Sequence, residues 1–293
     1  MEATAAVLET KPTSTPSFGP QLARAEVREV VAVEHIRRMR GGAQPHLMRC
    51  SDGVYYVVKF LDNPQHPRVL ANEWLGARLA AKLGLPVAET AVVEVSEELI
   101  NRSGDLFIDL GRTRRKVRAG LQFGSRYPGD PTETPVYDFL PDERLPEVEN
   151  LCDFLGMLVF DKWTCNTDGR QAVFYRSQGC LCYRALMIDQ GFCFNAGEWD
   201  FPDAPLRGLY ARTRVYQGVT GVESFEPWLE RLEAGIGERI LEEIAGEVPA
   251  EWYEFDKDAL YGLIEKLWAR RRRVRDLILS AKNTYRHPFQ NWK

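Results

Sequence analysis

The chain has 293 residues, of which 44% are hydrophobic and 27% charged, so it can bury the core of one large domain or of two packed lobes. Its formal net charge of −4 gives no overall electrostatic reason to expect binding to nucleic acid or to an anionic membrane. No apolar run approaches the roughly 20 residues of a membrane span, and the N-terminus lacks the pattern of a secretory signal, so we expect a cytoplasmic protein without a membrane span.

The first half of the chain is predicted to be rich in β-structure. Residues 1–23, with many Ser, Thr and Pro, are predicted to be a flexible tail. Alternating and β-branched residues predict strands at 46–51, 54–60, 90–95 and 105–110. Apolar residues at helical spacing predict one helix over 68–83, ended by Gly84-Leu85-Pro86. The stretch 120–131 is rich in Gly and Pro, and residues 41–45 have no strand or helix propensity.

The second half is predicted to be mainly helical. Predicted helices cover 146–164, 206–212, 225–233, 236–246 and 256–281, and one hairpin pairs strands 171–176 and 181–188. We therefore divide the chain into an N-terminal lobe (24–136), a connecting segment (137–141) and a C-terminal lobe (142–293).

Lys59 is the first residue with a chemical signal. It follows Tyr56-Val57-Val58 in an apolar strand, where a charge is costly to bury unless it is paired. Glu73 lies beside the apolar stripe of the next predicted helix and is a candidate partner. The alternative is that Lys59 ends its strand in solvent and Glu73 is a surface charge.

Asp168 follows a predicted buried helix in the loop Asn166-Thr167-Asp168-Gly169, where rigid structure holds a carboxylate that still reaches solvent. A simple turn at the helix end is the alternative. Asp161 and Asn166 offer a further reading, because they have the Asp-x-x-x-x-Asn spacing of a kinase catalytic loop. In that reading, however, Asp161 sits on the helix.

Asp189 stands at the end of the apolar strand Leu186-Met187-Ile188, and Gly191 two residues later permits a sharp turn. This order matches the logic of a metal-binding Asp-x-Gly motif. One hairpin separates Asp189 from Asp168, so we expect the two carboxylates to meet across a metal ion.

These residues, in this order, resemble the HipA-like kinases, relatives of the phosphatidylinositol 3-/4-kinases and protein kinases. The matching stretches are 51–60, 63–65, 68–73, 83–86, 124–127, 166–168 and 188–191. The resemblance implies an α+β, two-lobed protein-kinase-like fold, with a β-rich N-terminal lobe and a mainly helical C-terminal lobe. It also implies ATP and Mg²⁺ as cofactors.

The resemblance assigns roles to individual residues. Lys59 contacts the ATP phosphates, with Glu73 beside it, and Asp168 acts as the base or orients the acceptor hydroxyl. Asp189 holds Mg²⁺. The loop 41–45, with Gly41 and Gly42, covers the phosphates. The connecting segment meets the adenine through Tyr137, Asp138 and Phe139.

One position departs from the family. Relatives carry an Asn five residues after the catalytic Asp as a second metal ligand, and here that residue is Val173. Asn166 or Gln171 is the candidate substitute. The leading function is phosphate transfer to a Ser/Thr hydroxyl of an unidentified protein. A nucleotide-binding pseudokinase that binds a partner is the first alternative, and a lipid kinase is the second.

Two basic runs remain. Arg270–Arg273 with Arg275 is expected to be the solvated face of a helix. A second run, from Arg112 to Arg118, is expected to be an exposed hairpin. The alternative is that it steers ATP or an acidic substrate to the site.

Overall fold

The computed structural model describes residues 27–176 and 179–293. The predicted tail at 1–23 lies outside the described residues, as do Ser177 and Gln178 of the predicted turn between the last two strands.

The described residues form ten β-strands. In chain order they are β1 Glu29–Arg38, β2 His46–Cys50, β3 Tyr55–Lys59, β4 Thr90–Val95, β5 Phe107–Asp109, β6 Arg114–Lys116, β7 Gly120–Arg126, β8 Val136–Tyr137, β9 Gln171–Tyr175 and β10 Arg184–Ile188.

The same residues form seven α-helices, five of them in the C-terminal half. They are α1 Val69–Lys82, α2 Glu97–Arg102, α3 Asp153–Thr164, α4 Glu226–Gly235, α5 Glu238–Gly246, α6 Lys257–Arg270 and α7 Val274–Lys282. The fold is therefore mixed α+β, with a β-rich N-terminal and a helical C-terminal region, as predicted. None of these helices is both long enough and apolar enough to cross a membrane.

Five strands close into a barrel in the order β1-β2-β3-β7-β4, and β4 then pairs in parallel with β1. Because side chains alternate along a strand, Tyr56 and Val58 of β3 point into the barrel core while Val57 and Lys59 point to the opposite face. Helix α1 follows β3 and ends at Lys82, and Gly84 just beyond it has a φ of +75°, the left-handed terminator that the sequence predicted.

The C-terminal half carries a small antiparallel sheet of β8, β9 and β10. In the β9–β10 pair Gln171 lies opposite Ile188. The turn that precedes β9 and the residue that follows β10 therefore emerge at the same end of the sheet. This register brings the segment around Asp168 next to Asp189.

Two apolar clusters fill the molecule. The smaller lies inside the barrel, and the larger joins α1 to the helices of the C-terminal half. The buried carboxylate of Glu247, at the end of α5, accepts from Trp74 Nε1 (3.1 Å) and from two nitrogens of Arg78 (both 2.7 Å) on α1. Helix α1 is thus bonded directly to the C-terminal half.

Two secondary-structure predictions were wrong, and one strand was not predicted. Residues 120–126 form β7, because pairing with β3 on one side and β4 on the other overrides the weak local signal of a Gly-containing segment. Residues 206–212 are not helical, because the carbonyl of Arg207 accepts from Lys162 of α3 and Tyr210 forms a β-bridge with Arg170. The predicted helix 256–281 is divided into α6 and α7 by a 3₁₀ turn, Arg271–Arg273.

The expectation for the C-terminal arginine run was wrong for two residues. Arg270 and Arg271 are each only 6% exposed. Arg270 donates to the carbonyls of Lys162 (3.0 Å) and Phe201 (3.2 Å), and Arg271 donates to the carbonyl of Ile236 (2.5 Å). These guanidinium groups bond the junction of α6 and α7 to carbonyl oxygens of the last turn of α3 and of two loops. The other basic run does lie on an exposed hairpin, β5–β6.

Candidate active site

Lys59, Glu73 and Asp189 meet although they come from three separate elements. Lys59 ends β3, Glu73 lies in the first half of α1, and Asp189 follows β10. The ammonium of Lys59 donates to Glu73 Oε1 in a close ion pair and to Asp189 Oδ1 at 2.8 Å. The ammonium and Glu73 are almost fully buried, whereas the Asp189 side chain remains 21% exposed. Only Asp189 therefore keeps a substantial open face.

Glu73 also fixes the turn that follows Asp189. Its Oε1 accepts the backbone N–H of Gly191 at 2.8 Å. The neighbouring Asn72 donates to the carbonyl of the same glycine at 2.8 Å. Asp189 itself has a φ of +61°, a left-handed conformation that Asp and Asn tolerate better than most residues. Helix α1 thus positions the metal-ligand candidate through two adjacent side chains.

The charges are strongly coupled. Burial alone lowers the pKa of Lys59, but Glu73 and Asp189 outweigh burial and raise that pKa above its usual value. Burial raises the pKa of Glu73, and Lys59 opposes the rise. For Asp189, burial is overcome by Lys59, and the pKa falls below its usual range. Asp189 is therefore ionised at neutral pH and available to a cation.

These three residues line a cavity of about 470 Å³ between the barrel and the small sheet. Its wall is partly apolar, with Val57 and Phe123 on the barrel side. A cavity of this size, with apolar walls and a few convergent charges, has the character of a small-molecule site.

Arg37 of β1 adds a positive charge to the barrel side of the cavity. It lies opposite Leu47 in the β1–β2 ladder, and Leu47 lies opposite Val57 in β2–β3. Residues aligned in this way share one face of a sheet, so Arg37 lies on the face that carries Val57 and Lys59. The sequence prediction missed Arg37, although its position in an alternating strand was a usable signal.

Asp168 lies in the turn before β9 and is held at both sides by the chain around Asp189. Thr167 N donates to the carbonyl of Phe192 at 3.1 Å, and Arg170 Nη1 donates to the carbonyl of Ile188 at 2.7 Å. The carboxylate itself is exposed and accepts the backbone N–H of Gly169 at 2.7 Å. Asp168 is thus close to Asp189 along the sheet end, but it opens to a different recess.

Asp161 has a structural environment. It is 1% exposed and forms a bidentate ion pair with the buried Arg170, whose pKa is raised above its usual value because Asp161 outweighs the effect of burial. Arg170 in turn fixes the strand end that carries Asp189. The sequence prediction missed Arg170, and the nine-residue spacing from Asp161 gave no local signal for the pair.

The two proposed substitute metal ligands differ in their surroundings. Asn166 is 1% exposed, its Nδ2 donates to Asp161 Oδ1 at 3.0 Å, and its Oδ1 accepts the N–H of Asp168 at 3.1 Å. Gln171 is exposed at the start of β9, and its Nε2 lies 3.3 Å from Asp168 Oδ2. Asn166 is thus enclosed as a brace for the turn, while Gln171 stands beside the carboxylate.

Of the other residues with predicted nucleotide-binding roles, only Asp138 is part of the cavity wall that the structure describes. Asp138 lines the cavity, whereas Tyr137 packs edge-on against Tyr183 and Phe139 is 59% exposed. Gly41 and Gly42 are at the exposed tip of the β1–β2 loop, whose base, Met39, Arg40 and Pro45, reaches the cavity.

The donor set suits a hard divalent cation. Asp189 offers carboxylate oxygens in the cavity, and Asp168 and Gln171 offer a carboxylate and an amide from the adjacent turn and strand; these are ligand types that Mg²⁺ prefers. Within the described ranges no three His, Cys, Asp or Glu residues gather into a metal site. Mg²⁺ is commonly held by one or two carboxylates together with substrate phosphates, and these residues fit that pattern.

Comparison with known proteins bears on this geometry. Residues 32–176 match the family model described as HipA-like kinase. This part of the chain is therefore similar to the HipA-like kinases. The HipA-like segment contains Lys59, Glu73 and Asp168, whereas Asp189 follows it. The resemblance predicted from the sequence is confirmed, and it supports a phosphotransferase.

Solved structures give the fold. The Helicobacter pylori proinflammatory kinase CtkA is 14% identical, with a TM-score of 0.57 over 88% of this chain and 99% of its own. The Golgi casein kinase is 12% identical, with a TM-score of 0.49 over 91% of this chain and 76% of its own. HipA of Shewanella oneidensis MR-1, solved with HipB and operator DNA, is 13% identical, with a TM-score of 0.42 over 93% and 70%. The first of these shows that this chain has a kinase-like fold.

Curated protein sequences gave no match.

Proposed function

We propose that this chain binds ATP with Mg²⁺ in the cavity between its lobes and transfers the γ-phosphate to a Ser or Thr hydroxyl of a protein. The observation that carries the proposal is the convergence of Lys59, Glu73 and Asp189 at that cavity. Phosphoryl transfer needs little covalent chemistry from a protein. It requires positioning and charge stabilisation, which such a set of residues provides.

Each residue has a role in the proposal. Lys59, oriented by Glu73, brings a permanent positive charge to the nucleotide phosphates, and Arg37 adds a second positive charge from the barrel side of the cavity. Asp189, with its open face and lowered pKa, holds Mg²⁺, which neutralises charge on the phosphates when bound. Gln171 is the better-placed candidate for a further ligand because Asn166 is enclosed.

Asp168 orients the acceptor hydroxyl and accepts its proton. Its carboxylate is exposed, and the backbone on both sides is fixed to the segment that holds Asp189. The acceptor therefore approaches from the recess beside Asp168 while the nucleotide occupies the cavity.

A nucleotide-binding pseudokinase is the second candidate. The observation that favours it is Val173, which is 7% exposed and lines the cavity on β9, at the position of the family's second metal-ligating Asn. An aliphatic side chain there cannot bind a metal ion.

Transfer of label from γ-labelled ATP, with Mg²⁺ and casein as acceptor, tests the proposal. We expect label on casein with the wild type and a loss of at least a hundredfold in Asp189→Asn and Asp168→Asn. Asparagine keeps the left-handed conformation at position 189 while removing the charge. Asp258→Asn, an exposed change on α6, is the matched control.

The outcomes separate the two candidates. ATP-dependent stabilisation of the melting curve without label transfer supports the pseudokinase. Absence of both effects contradicts both candidates.

A further inference from the structure

A second recess, of about 370 Å³, opens beside Asp168. We call it the acceptor recess. Its lining consists of Thr167, Asp168, Gly169, the loop 204–208 and Arg286. Asp168 is the one acidic residue of this lining, and Arg207 and Arg286 are the two basic ones. The recess therefore has an excess of positive charge in a chain whose net charge is −4.

The two arginines are not neutralised by Asp168. In the part of the chain that the structure describes, no ion pair within 4.0 Å joins either guanidinium to a carboxylate. Arg207 Nη1 donates to Asn195 Oδ1 at 3.2 Å, a neutral acceptor. Arg286 is exposed. Both charges are thus available to an anionic group that enters the recess.

Helix α3 holds the loop 204–208 of the recess in place. The buried Lys162 of α3 donates to the carbonyls of Pro205 and Arg207, both at 2.6 Å, and burial lowers the pKa of Lys162 to about 8. Gly208, with a φ of +75°, lies so close to Asp161 that an added Cβ would be 2.4 Å from the Asp161 Cβ. Arg207 is therefore presented by a preformed surface, which reduces the entropy lost on binding.

We propose that the acceptor recess selects protein substrates in which the acceptor Ser or Thr is flanked by Asp or Glu. This inference rests on the proposed function, because it places the acceptor hydroxyl at Asp168. A flanking carboxylate then meets Arg207 and Arg286, whose planar guanidinium groups match carboxylate geometry. The carboxylate also supplies the negative charge that this part of the surface lacks.

The test compares two Ser-containing peptides that differ only in their flanking residues, Asp and Glu in one and Asn and Gln in the other. Their affinity for the ATP-loaded protein is measured by fluorescence anisotropy, and the KM and kcat of label transfer are measured in parallel. For the wild type we expect at least tenfold tighter binding and a correspondingly lower KM for the acidic peptide.

Variants assign the preference to the recess. We expect Arg286→Ala, and the double variant Arg207→Ala/Arg286→Ala, to raise the KM for the acidic peptide about tenfold or more while leaving kcat and the amide peptide unchanged. Arg272→Ala, an exposed arginine of the C-terminal run, is the matched control. Because Arg286 is exposed, its single variant remains informative even where the double variant fails to fold.

The inference and the proposed function fail differently. Label transfer with equal preference for both peptides overturns the inference and leaves the function intact. Preferential binding of the acidic peptide without label transfer overturns the function and supports the recess. Equal binding of both peptides together with no transfer overturns both.

Discussion

At the scale of single residues, the site depends on one buried ammonium shared by two carboxylates. Lys59 and Glu73 have side chains only 10% and 2% exposed. Removing one member of such a pair leaves the other charge buried without compensation, which is far more costly than losing a surface ion pair. The position of Lys59 in an apolar strand was visible in the sequence for the same reason.

We expect Lys59→Met to lower the free energy of unfolding by about 3–5 kcal/mol, because Glu73 loses its partner. Glu73→Gln added to Lys59→Met should restore part of that loss, since no uncompensated buried charge remains. Urea denaturation of the single and double variants measures the coupling. Arg102→Met, which breaks an exposed pair with Glu98, should cost no more than about 0.5 kcal/mol. Equal losses of unfolding free energy in Lys59→Met and Arg102→Met would contradict the burial of the Lys59–Glu73 pair.

The residues that sequence reasoning found and missed differ in kind. Lys59, Asp168 and Asp189 were found because each interrupts or ends an apolar segment. Arg170 and Lys162 were missed because their partners are a carboxylate nine positions away and two carbonyls of a distant loop. A charged residue whose partner lies in a distant segment leaves no recognisable pattern in the sequence around it.

At the scale of elements, glycine decides how closely α3 packs. A Cβ at Gly156 would lie 2.2 Å from Trp228 Nε1 of α4 and 2.7 Å from a methyl carbon of Leu85. In contrast, nothing lies within 4 Å of a Cβ at Gly262, in the interior of α6. The close contact at Gly156 fixes the distance between α3 and α4. The turn that contains Asp168 directly follows α3, so this packing also positions Asp168.

Alanine at these two positions should act in opposite directions. Gly156→Ala forces α3 and α4 apart, and we expect a loss of about 1–3 kcal/mol in the free energy of unfolding. Gly262→Ala should be neutral or stabilise by about 0.5–1 kcal/mol through the helix propensity of alanine. Thermal or urea unfolding of both variants checks this. Equal losses at the two positions would show that α3 and α4 are not in this contact.

Elements with strong local signals were predicted well. Helix α1 has an apolar stripe and a glycine terminator, and the structure places it at Val69–Lys82. Strand β7 was not predicted, because a segment beginning Gly-Leu-Gln-Phe-Gly becomes a strand only through its neighbours β3 and β4. The break between α6 and α7 was also missed, since the run of arginines there favours helix and gives no sign of a 3₁₀ turn.

At the scale of the whole molecule, the cavity lies where two halves meet, and the larger apolar cluster joins them. The ion pair and hydrogen bonds of Glu247 hold α1 against the C-terminal half, and α1 carries Glu73. The geometry of the site is thus a property of the assembled fold. The order of the motifs along the chain predicted a β-rich and a helical half, and Lys59, Glu73 and Asp189 line the cavity, whereas the separate recess at Asp168 required the structure.

The most direct test of the account is calorimetric titration of ATP into the protein with and without Mg²⁺, for the wild type and for Asp189→Asn. The account predicts that Mg²⁺ tightens ATP binding at least tenfold in the wild type and that the variant loses this gain while keeping weak nucleotide binding through Lys59. No binding of ATP to the wild type, or the same gain from Mg²⁺ in both proteins, would contradict it.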